Sequence, residues 1–295
     1  MQTTALQYKL IKKIKDDRFD EEQIHQYNLL MQIGARDFQV AIIQSSDNRI
    51  LVLEDFVLPN IQSEDDLLEV LQVIFDAHEF IKAGFWNEIK VSIKNGKFVQ
   101  VPESLFTEDS IGQYLQFNAE VDPEVEIFSH IKNSRAGAET AFAIRKEIKE
   151  WIQSVYPAKQ PLFVHQSAAL IEGVMEYAKD RTDNPLYIYI DRFKLHVLSC
   201  KENKLVYYNQ FIIKQFSDYI RYIMLVMKTL GMSQQNSQVI LWGYIGKNSP
   251  HYQEFYKYIN NVMFGDRPRY LHFGYQFDEI QDHHFFDLYG MHLVG

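Results

Sequence analysis

Two stretches of this chain share one pattern: FQVAIIQSSDNRILVLEDFVL at residues 38–58 and FKLHVLSCKENKLVYYNQFII at residues 193–213. They align without a gap, so that Phe38 matches Phe193. Each stretch alternates apolar and polar residues, breaks at a polar turn and alternates again, which is typical of a β-hairpin with one buried face. The sequence therefore predicts two equivalent hairpins, one in each half of the chain.

Helical patterns follow both hairpins. Ser63 precedes three acidic residues and an apolar series, which is typical of a capped helix N-terminus. Ser217 and Asp218 precede a second apolar series that ends near Gly231, a residue suited to a helix C-terminus. Strands that lead into capped helices indicate α/β layers. A repeat of half the chain indicates internal duplication and not a solenoid, whose repeats run to about 20–50 residues.

Further stretches resemble a known superfamily. PLFVHQSAALIEGVMEYA (161–178) resembles the strand and alanine-rich helix that join the lobes of actin-like ATPases, and VILWGYIGKNSPHYQEFYKYI (239–259) resembles their adenosine motif. YNLLMQIGARDFQVAI (27–42), VQVPESLF (99–106) and HHFFDLY (283–289) resemble an uncharacterised bacterial family of unknown function that is assigned the same fold. The resemblance covers nearly the whole chain.

The resemblance implies an α/β fold of two duplicated ribonuclease H-like lobes in the actin-like ATPase architecture. We place the first lobe at residues 1–158 and the second, with a C-terminal segment, at residues 159–295. The boundary is put between Pro157 and Pro161, because prolines disfavour helix in the residues before them.

The residues that a working ATPase of this superfamily needs are largely missing. The resemblance implies an aspartate for the magnesium-bound water and glycine turns that admit phosphate. Gln32 stands at the aspartate position of the first hairpin, and Asp37, past the turn, is expected to point elsewhere. The matching stretch at residues 186–192 has no glycine, and Tyr187 is expected to fill the phosphate space. We therefore assign no catalytic residue and do not predict an enzyme.

Only the adenosine-like turn keeps its glycines. Gly243 and Gly246 are the candidate cofactor-binding residues, which leaves ATP binding open and indicates no other cofactor. Lys247 does not make this turn a P-loop, because Leu241 stands where the loop needs a glycine and Asn248 follows the lysine. We expect a strand-to-helix turn with Ser249 as the N-cap.

Other polar clusters predict neither a metal site nor a nucleophile. His284 and Asp287 have a spacing that would let them share an ion, but their aromatic neighbours favour a docked C-terminal segment, and we predict no metal. Cys200 is the single cysteine. No histidine and asparagine arrangement is assigned to it, so we expect a packed thiol.

The composition excludes several classes of protein. Hydrophobic residues make up 46% of the chain, enough for a sizeable core, and the formal net charge is −9. An acidic chain is repelled by phosphate backbones, so we predict no nucleic-acid partner. The N-terminus lacks the apolar run of a signal peptide, and no apolar stretch is long enough to span a bilayer. With one cysteine, these features favour a cytoplasmic protein without a membrane partner.

The chain is rich in aromatic residues, with 18 tyrosines and 21 phenylalanines. Tyrosine combines apolar area with a polar tip and is favoured at interfaces. We therefore predict an interaction surface in the C-terminal third, with five candidate residues: Tyr252, Tyr256, Tyr270, Tyr275 and Tyr289.

Three functions follow from these observations. The favoured one is a non-catalytic actin-like module that binds a protein partner or itself. The alternatives are a divergent nucleotide-binding ATPase or kinase that uses the cleft between the lobes, and a small-ligand sensor that uses the same cleft without turnover.

Overall fold

The structure is a computed structural model that describes residues 8–295. Residues 8–178 contain nine strands and four α-helices. The strands are β1 (Lys9–Lys15), β2 (Tyr27–Gly34), β3 (Asp37–Gln44), β4 (Ile50–Val57), β5 (Glu88–Lys94), β6 (Phe98–Pro102), β7 (Glu126–Asn133), β8 (Ala138–Arg145) and β9 (Leu162–His165). The helices are α1 (Glu64–Ala77), α2 (Ile111–Gln116), α3 (Lys146–Val155) and α4 (Gln166–Ala178).

The rest of the chain adds five strands and three helices. The strands are β10 (Leu186–Asp191), β11 (Lys194–Lys201), β12 (Lys204–Ile212), β13 (Gln238–Gly243) and β14 (Asn261–Phe264). The helices are α5 (Phe216–Thr229), α6 (Pro250–Phe255) and α7 (Phe286–Gly290). Short 3-10 turns lie at Glu21–Gln26, Glu103–Leu105, Glu108–Ser110, Tyr275–Glu279 and Met291–Leu293.

Two large sheets share one strand order, except that the first has an additional edge strand, β1, paired antiparallel with β4. The first sheet runs β1-β4-β3-β2-β5-β9 and the second runs β12-β11-β10-β13-β14. In each, an antiparallel meander of three strands is followed by two strands that pair in parallel. A third sheet, β6-β8-β7, is inserted after β5. The two predicted hairpins, β3-β4 and β11-β12, therefore occupy the same place in the two large sheets.

The residue-by-residue match of the hairpins is wrong for their first strands. The strands β2 and β3 are joined by the turn Ala35-Arg36, and β10 and β11 by the turn Arg192-Phe193. Phe193 is thus an exposed turn residue, whereas Phe38 is buried within β3. The match shifts because β11 and β12 are joined by a tight two-residue turn, Glu202-Asn203, with positive φ at both positions.

The helices α1, α5 and α6 each begin after a capping residue. Ser63 forms a capping box with Asp66 at the start of α1, as the sequence predicts. Ser249 accepts a hydrogen bond from the Tyr252 amide at the start of α6, also as predicted. At α5 the N-cap is Gln215, and the side chain of Asp218 accepts from the Gln215 amide.

The helix α4 connects the two sheets. It follows β9, which pairs with β5 in the first sheet, so that sheet extends to His165. Leu170 and Val174 of α4 pack in a cluster with Tyr187 and Trp242 of the second sheet. The division of the chain between residues 158 and 159 stays a prediction. The strand β9 belongs to the first sheet, and α4 lies against the second sheet.

Candidate functional site

The turns Ala35-Arg36 and Arg192-Phe193 lie opposite each other and border a cleft between the two sheets. The guanidinium of Arg36 lies 5.3 Å from the centre of the Phe193 ring. The next strands in parallel pairing, β5 and β13, end beside the same cleft. Carboxyl ends of parallel strands are where open α/β sheets bind ligands, so this cleft is the candidate site.

A lysine joins the two sheets inside this cleft. The Lys94 ammonium, at the end of β5, lies 2.7 Å from a carboxylate oxygen of Asp37 and 3.0 Å from one of Asp191. All three side chains are buried. Burial alone would lower the pKa of Lys94, but Asp191 and Asp37 outweigh it and hold the pKa well above its usual value. The three charges form a buried staple between β3 and β10, and we call them the staple.

Arg192 extends the staple. Its Nε donates to Asp37 at 3.2 Å, and its Nη2 lies 3.6 Å from an oxygen of Asp55 on β4. The same guanidinium lies over the Tyr244 ring at 4.8 Å, and the Tyr244 hydroxyl contacts Gln39 of the first sheet. Side chains from the second sheet thus cross the cleft and end on the first.

Asp55 supports a prediction about pH. Burial raises the pKa of Asp55 to about 6, against the effects of Arg192 and Gln39, whereas an unfolded aspartate titrates near about 4. The stability contributed by a raised pKa is complete below the unfolded value and is lost as pH rises through the folded value. Between about pH 4 and pH 7, Asp55→Asn should therefore gain up to about 3 kcal/mol of unfolding free energy relative to the wild type. Urea unfolding at each pH measures this, and a difference that stays constant across the range contradicts it.

A C-terminal carboxylate fills the back of the cleft. Asp287, fully buried on α7, accepts hydrogen bonds from Gln32 at 2.7 Å and Gln166 at 2.8 Å. The hydroxyl of Tyr189 donates to its other oxygen. Burial raises the pKa of Asp287, although Lys94 opposes the shift. Asp287 thus ties α7 to β2, α4 and β10.

The adenosine-like turn is covered by the same C-terminal segment. Gly243 has a φ of 97°, and a Cβ there would lie 2.1 Å from the Ile190 carbonyl oxygen, so only glycine fits. Its amide donates to the carbonyl of His283 at 2.8 Å. The His283 ring contacts the Ile245 carbonyl at 2.6 Å. Gly246 is exposed. Gly243 and Gly246 as cofactor-binding residues stay a prediction.

Two expectations about the cleft are wrong. Asp37 does not point away, because Gly34 has no side chain and the carboxylate folds over it; a Cβ at Gly34 would lie 1.9 Å from an Asp37 oxygen. Tyr187 does not fill the phosphate space, because it stacks on Trp242 in a buried cluster on one face of the second sheet. Tyr189, two residues further along β10, lies on the same face, and its hydroxyl donates to Asp287 at the back of the cleft.

The residues at the cleft do not fit a magnesium ion. Magnesium takes oxygen ligands in octahedral geometry, but the ammonium of Lys94 already lies between Asp37 and Asp191. Over the described part of the chain, no group of three or more histidine, cysteine, aspartate or glutamate side chains could hold a metal. Cys200 is buried beside Met175, and burial raises the pKa of its thiol to about 12.

The five candidate tyrosines lie in different surroundings. Tyr252 and Tyr256 contact each other, edge to face, with ring centres 5.1 Å apart. Tyr275 is exposed and donates to Asp17. Tyr270 is half-buried beside His292, and Tyr289 is buried in the core of the first sheet. The interface prediction therefore continues only for the exposed members, Tyr256 and Tyr275, and it stays a prediction.

Sequence reasoning missed Lys94 and Arg192. The available signal for Lys94 was a lysine at the end of the segment EIKVSIK, which also contains Lys90 and is followed by Asn95-Gly96. Arg192 stands in the turn that matches Ala35-Arg36 and has a φ of 44°. No pattern within either segment indicates which carboxylates these cations contact.

Comparisons with known proteins agree with this geometry. Residues 16–262 match the model of a family described as "Protein of unknown function (DUF3822)", and the chain belongs to that family. No curated protein matches the chain in sequence. In residues 8–295, no helix has both the length and the apolar character needed to cross a membrane.

Solved structures establish the fold. A Bacteroides thetaiotaomicron VPI-5482 protein with an actin-like ATPase fold and unknown function matches with a TM-score of 0.75 and 21% identity, over 84% of this chain and 93% of that chain. A chain of the PilM-PilN type IV pilus biogenesis complex matches with a TM-score of 0.55 and 13% identity, over 89% and 96% of the two chains. The ethanolamine utilization protein EutJ of Carboxydothermus hydrogenoformans matches with a TM-score of 0.47 and 10% identity, over 91% of this chain and 90% of that chain. The predicted α/β, actin-like ATPase architecture is confirmed by the first two.

Proposed function

We propose that this member of the DUF3822 family is a non-catalytic actin-like module of the cytoplasm, which acts by binding a protein partner or a second copy of itself. One observation carries the first half of this proposal. The ammonium of Lys94 lies between a carboxylate of each sheet, at 2.7 Å and 3.0 Å, in the cleft where members of this fold carry out phosphate chemistry.

The staple opposes catalysis in two ways. It neutralises the carboxylates that would otherwise attract a divalent cation, because Asp37 and Asp191 each have a cation within hydrogen-bond distance. It also holds the two sheets together. Opening the cleft would expose or unpair three buried charges, and removing one partner of such a group costs about 3–5 kcal/mol.

The part of the cleft next to the adenosine-like turn also fits a nucleotide poorly. The segment that carries His283 and Phe285 covers the turn at Gly243, and Tyr244 crosses the cleft beside it. These contacts argue against the divergent ATPase or kinase. They leave the small-ligand sensor as a second candidate, which a cavity lined by Arg36, Lys194 and Lys214 favours.

The second half of the proposal rests on a relative of the fold. PilM, which matches this chain only in fold, is found in a complex with PilN. That likeness supports an actin-like module that acts through protein binding; the partner of the present chain has to be identified by experiment.

Purified protein should release no phosphate from ATP in the presence of magnesium above the background of a matched Asp37→Asn preparation. The reason is that Gln32 contacts Asp287 and Lys94 neutralises Asp37 and Asp191. A malachite green assay measures the release. Turnover that needs magnesium and disappears in Asp37→Asn or Asp191→Asn would overturn the non-catalytic proposal.

A further inference from the structure

A cavity of about 530 Å³ opens between the two turns at the mouth of the cleft. Its volume is in the range of small-molecule sites. Five cationic side chains line it, against two carboxylates: the cations are Arg36, Lys94, Arg192, Lys194 and Lys214, and the carboxylates are Asp37 and Asp191. This excess of positive charge is concentrated in one place on a chain whose net charge is −9.

The two carboxylates of the cavity already form ion pairs. Lys94 pairs with both, and Arg192 pairs with Asp37. Arg36, Lys194 and Lys214 form no ion pair with any carboxylate of the described residues. The cavity therefore keeps three cations that have no carboxylate of the described residues within ion-pair distance.

Lys194 is the most informative of these. Its side chain is half-buried, and its ammonium donates to the backbone carbonyl of Lys94 at 2.9 Å. Burial lowers the pKa of Lys194, and Asp191 offsets this only in part. An ammonium partly removed from water and without a direct ion pair is costly, and an anion in the cavity would lower that cost.

The cations come from both sheets. Arg36 belongs to the first turn, where its guanidinium lies over the Phe193 ring of the second turn. Lys214 is brought next to that second turn because the Ile213 amide donates to the Phe193 carbonyl at 2.8 Å. An anion between them would contact both turns at once and strengthen their association.

We infer that this cavity binds a small phosphate-type oxyanion, without a nucleoside and without a metal ion, directly on Arg36, Lys194 and Lys214. The nucleoside is excluded because Tyr244 and the C-terminal segment occupy the adenosine side. The metal is excluded because Lys94 holds the carboxylates that would bind it. The inference goes beyond the proposed function and gives the cleft a ligand, so that the module would respond to an anion without turning it over.

The test measures the melting temperature of the full chain with inorganic phosphate or pyrophosphate, in EDTA and at constant ionic strength. Ligand that binds only the folded state raises the melting temperature with concentration. We expect both anions to do so. Lys194→Met should weaken binding by about tenfold or more, because hydrogen bonds to charged groups are among the stronger ones. Lys201→Met, an exposed lysine at the other end of β11, should leave it unchanged.

The melting temperature in anion-free buffer distinguishes a variant that binds anion poorly from a variant that folds poorly. Lys194→Met removes a half-buried ammonium that has no direct ion pair, so the variant should melt close to the wild type in anion-free buffer. Arg36→Ala, an exposed residue, serves as the second variant and should also weaken binding.

Absence of any shift with either anion overturns the inference, and so does an equal shift in Lys194→Met and Lys201→Met, which would indicate general charge screening. Either result leaves the non-catalytic module standing. Binding of ATP that requires magnesium and exceeds that of pyrophosphate would contradict this inference, and hydrolysis of that ATP would contradict the proposed function as well.

Discussion

Replacing Lys94 with methionine should lower the free energy of unfolding by about 3–5 kcal/mol, the cost of breaking a buried ion pair from one side. Asp191 would lose its ammonium at 3.0 Å and keep only the amide of Gln166 at 2.9 Å. Asp37 would keep Arg192 at 3.2 Å. The expected loss therefore arises mainly at Asp191, which is 3% exposed. Urea unfolding at pH 7 measures it.

The double variant Lys94→Met, Asp191→Asn is the matched test of this explanation. It removes one positive and one negative charge together, and replacing both members of a buried pair is often neutral. It should therefore recover most of the stability that the single variant loses. Lys82→Met serves as a surface control, because its partner Asp76 is exposed and such pairs contribute about 0–1 kcal/mol. A double variant as unstable as Lys94→Met would indicate that the lysine stem, and not its charge, holds the cleft.

The pH dependence of the staple has a defined sign. Although burial raises the pKa of Asp191, Lys94 and Lys194 hold it well below its usual value. A depressed folded pKa gives stability that is present above the unfolded value near about 4 and is lost as pH falls below it. This is opposite to the effect expected for Asp55. The staple is thus stable across neutral pH and weakens only in acid.

Local patterns were sufficient to predict the secondary structure of the hairpins and several helix ends. Alternation predicted β3-β4 and β11-β12, and cap chemistry predicted the starts of α1 and α6. These features depend on residues close together in the sequence. The hairpin match failed at Phe193 because it assumed that residues of the same type occupy the same position in the two hairpins. A tight turn with positive φ at both residues is what shifts the strand before it.

The staple could not be predicted because its members are distant in sequence. Asp37, Lys94 and Asp191 lie on β3, β5 and β10, and nothing within any of these strands shows the other two. The side of the sheet on which a tyrosine lies was predictable, since Tyr187 and Tyr189 are two residues apart on β10 and therefore share one face, where both pack in one cluster. Asp287 was noticed only as a metal candidate, because its partners Gln32, Gln166 and Tyr189 come from three separate elements.

The two sheets of the proposed duplication also differ in the segments attached to them. Apart from the edge strand β1 of the first sheet, both sheets have the same order. The insertion β6-β8-β7 belongs to the first alone, and the segment with α7 returns from the second sheet to pack on α4. The ammonium of Lys90 donates to the carbonyl of Val294 and contacts that of His292, which anchors the end of this segment on β5. The cleft is thus closed from the front by the staple and from the back by the C-terminal segment.

Replacing Tyr289 with alanine should lower the free energy of unfolding by about 3–5 kcal/mol, as for other fully buried large aromatic residues. Its ring is 2% exposed and packs on Phe273 and Phe285, with ring centres 5.3 Å and 6.4 Å away. Removing it would leave a cavity beneath α7 and loosen the segment that carries Asp287. Tyr275→Ala should leave the melting temperature nearly unchanged, because Tyr275 is 72% exposed and surface residues contribute little to folding.

These two variants separate packing from partner binding. Tyr289→Phe keeps the ring and should restore nearly all the stability, which shows that the loss comes from packing. If exposed tyrosines form an interface, Tyr275→Ala or Tyr256→Ala should weaken self-association in sedimentation velocity while the thermal melt stays the same. Unchanged sedimentation in both, at concentrations where the wild type associates, would remove tyrosine as the basis of the interface. A large loss of stability in Tyr275→Ala would instead assign that ring to the core, because only a packed side chain carries several kcal/mol.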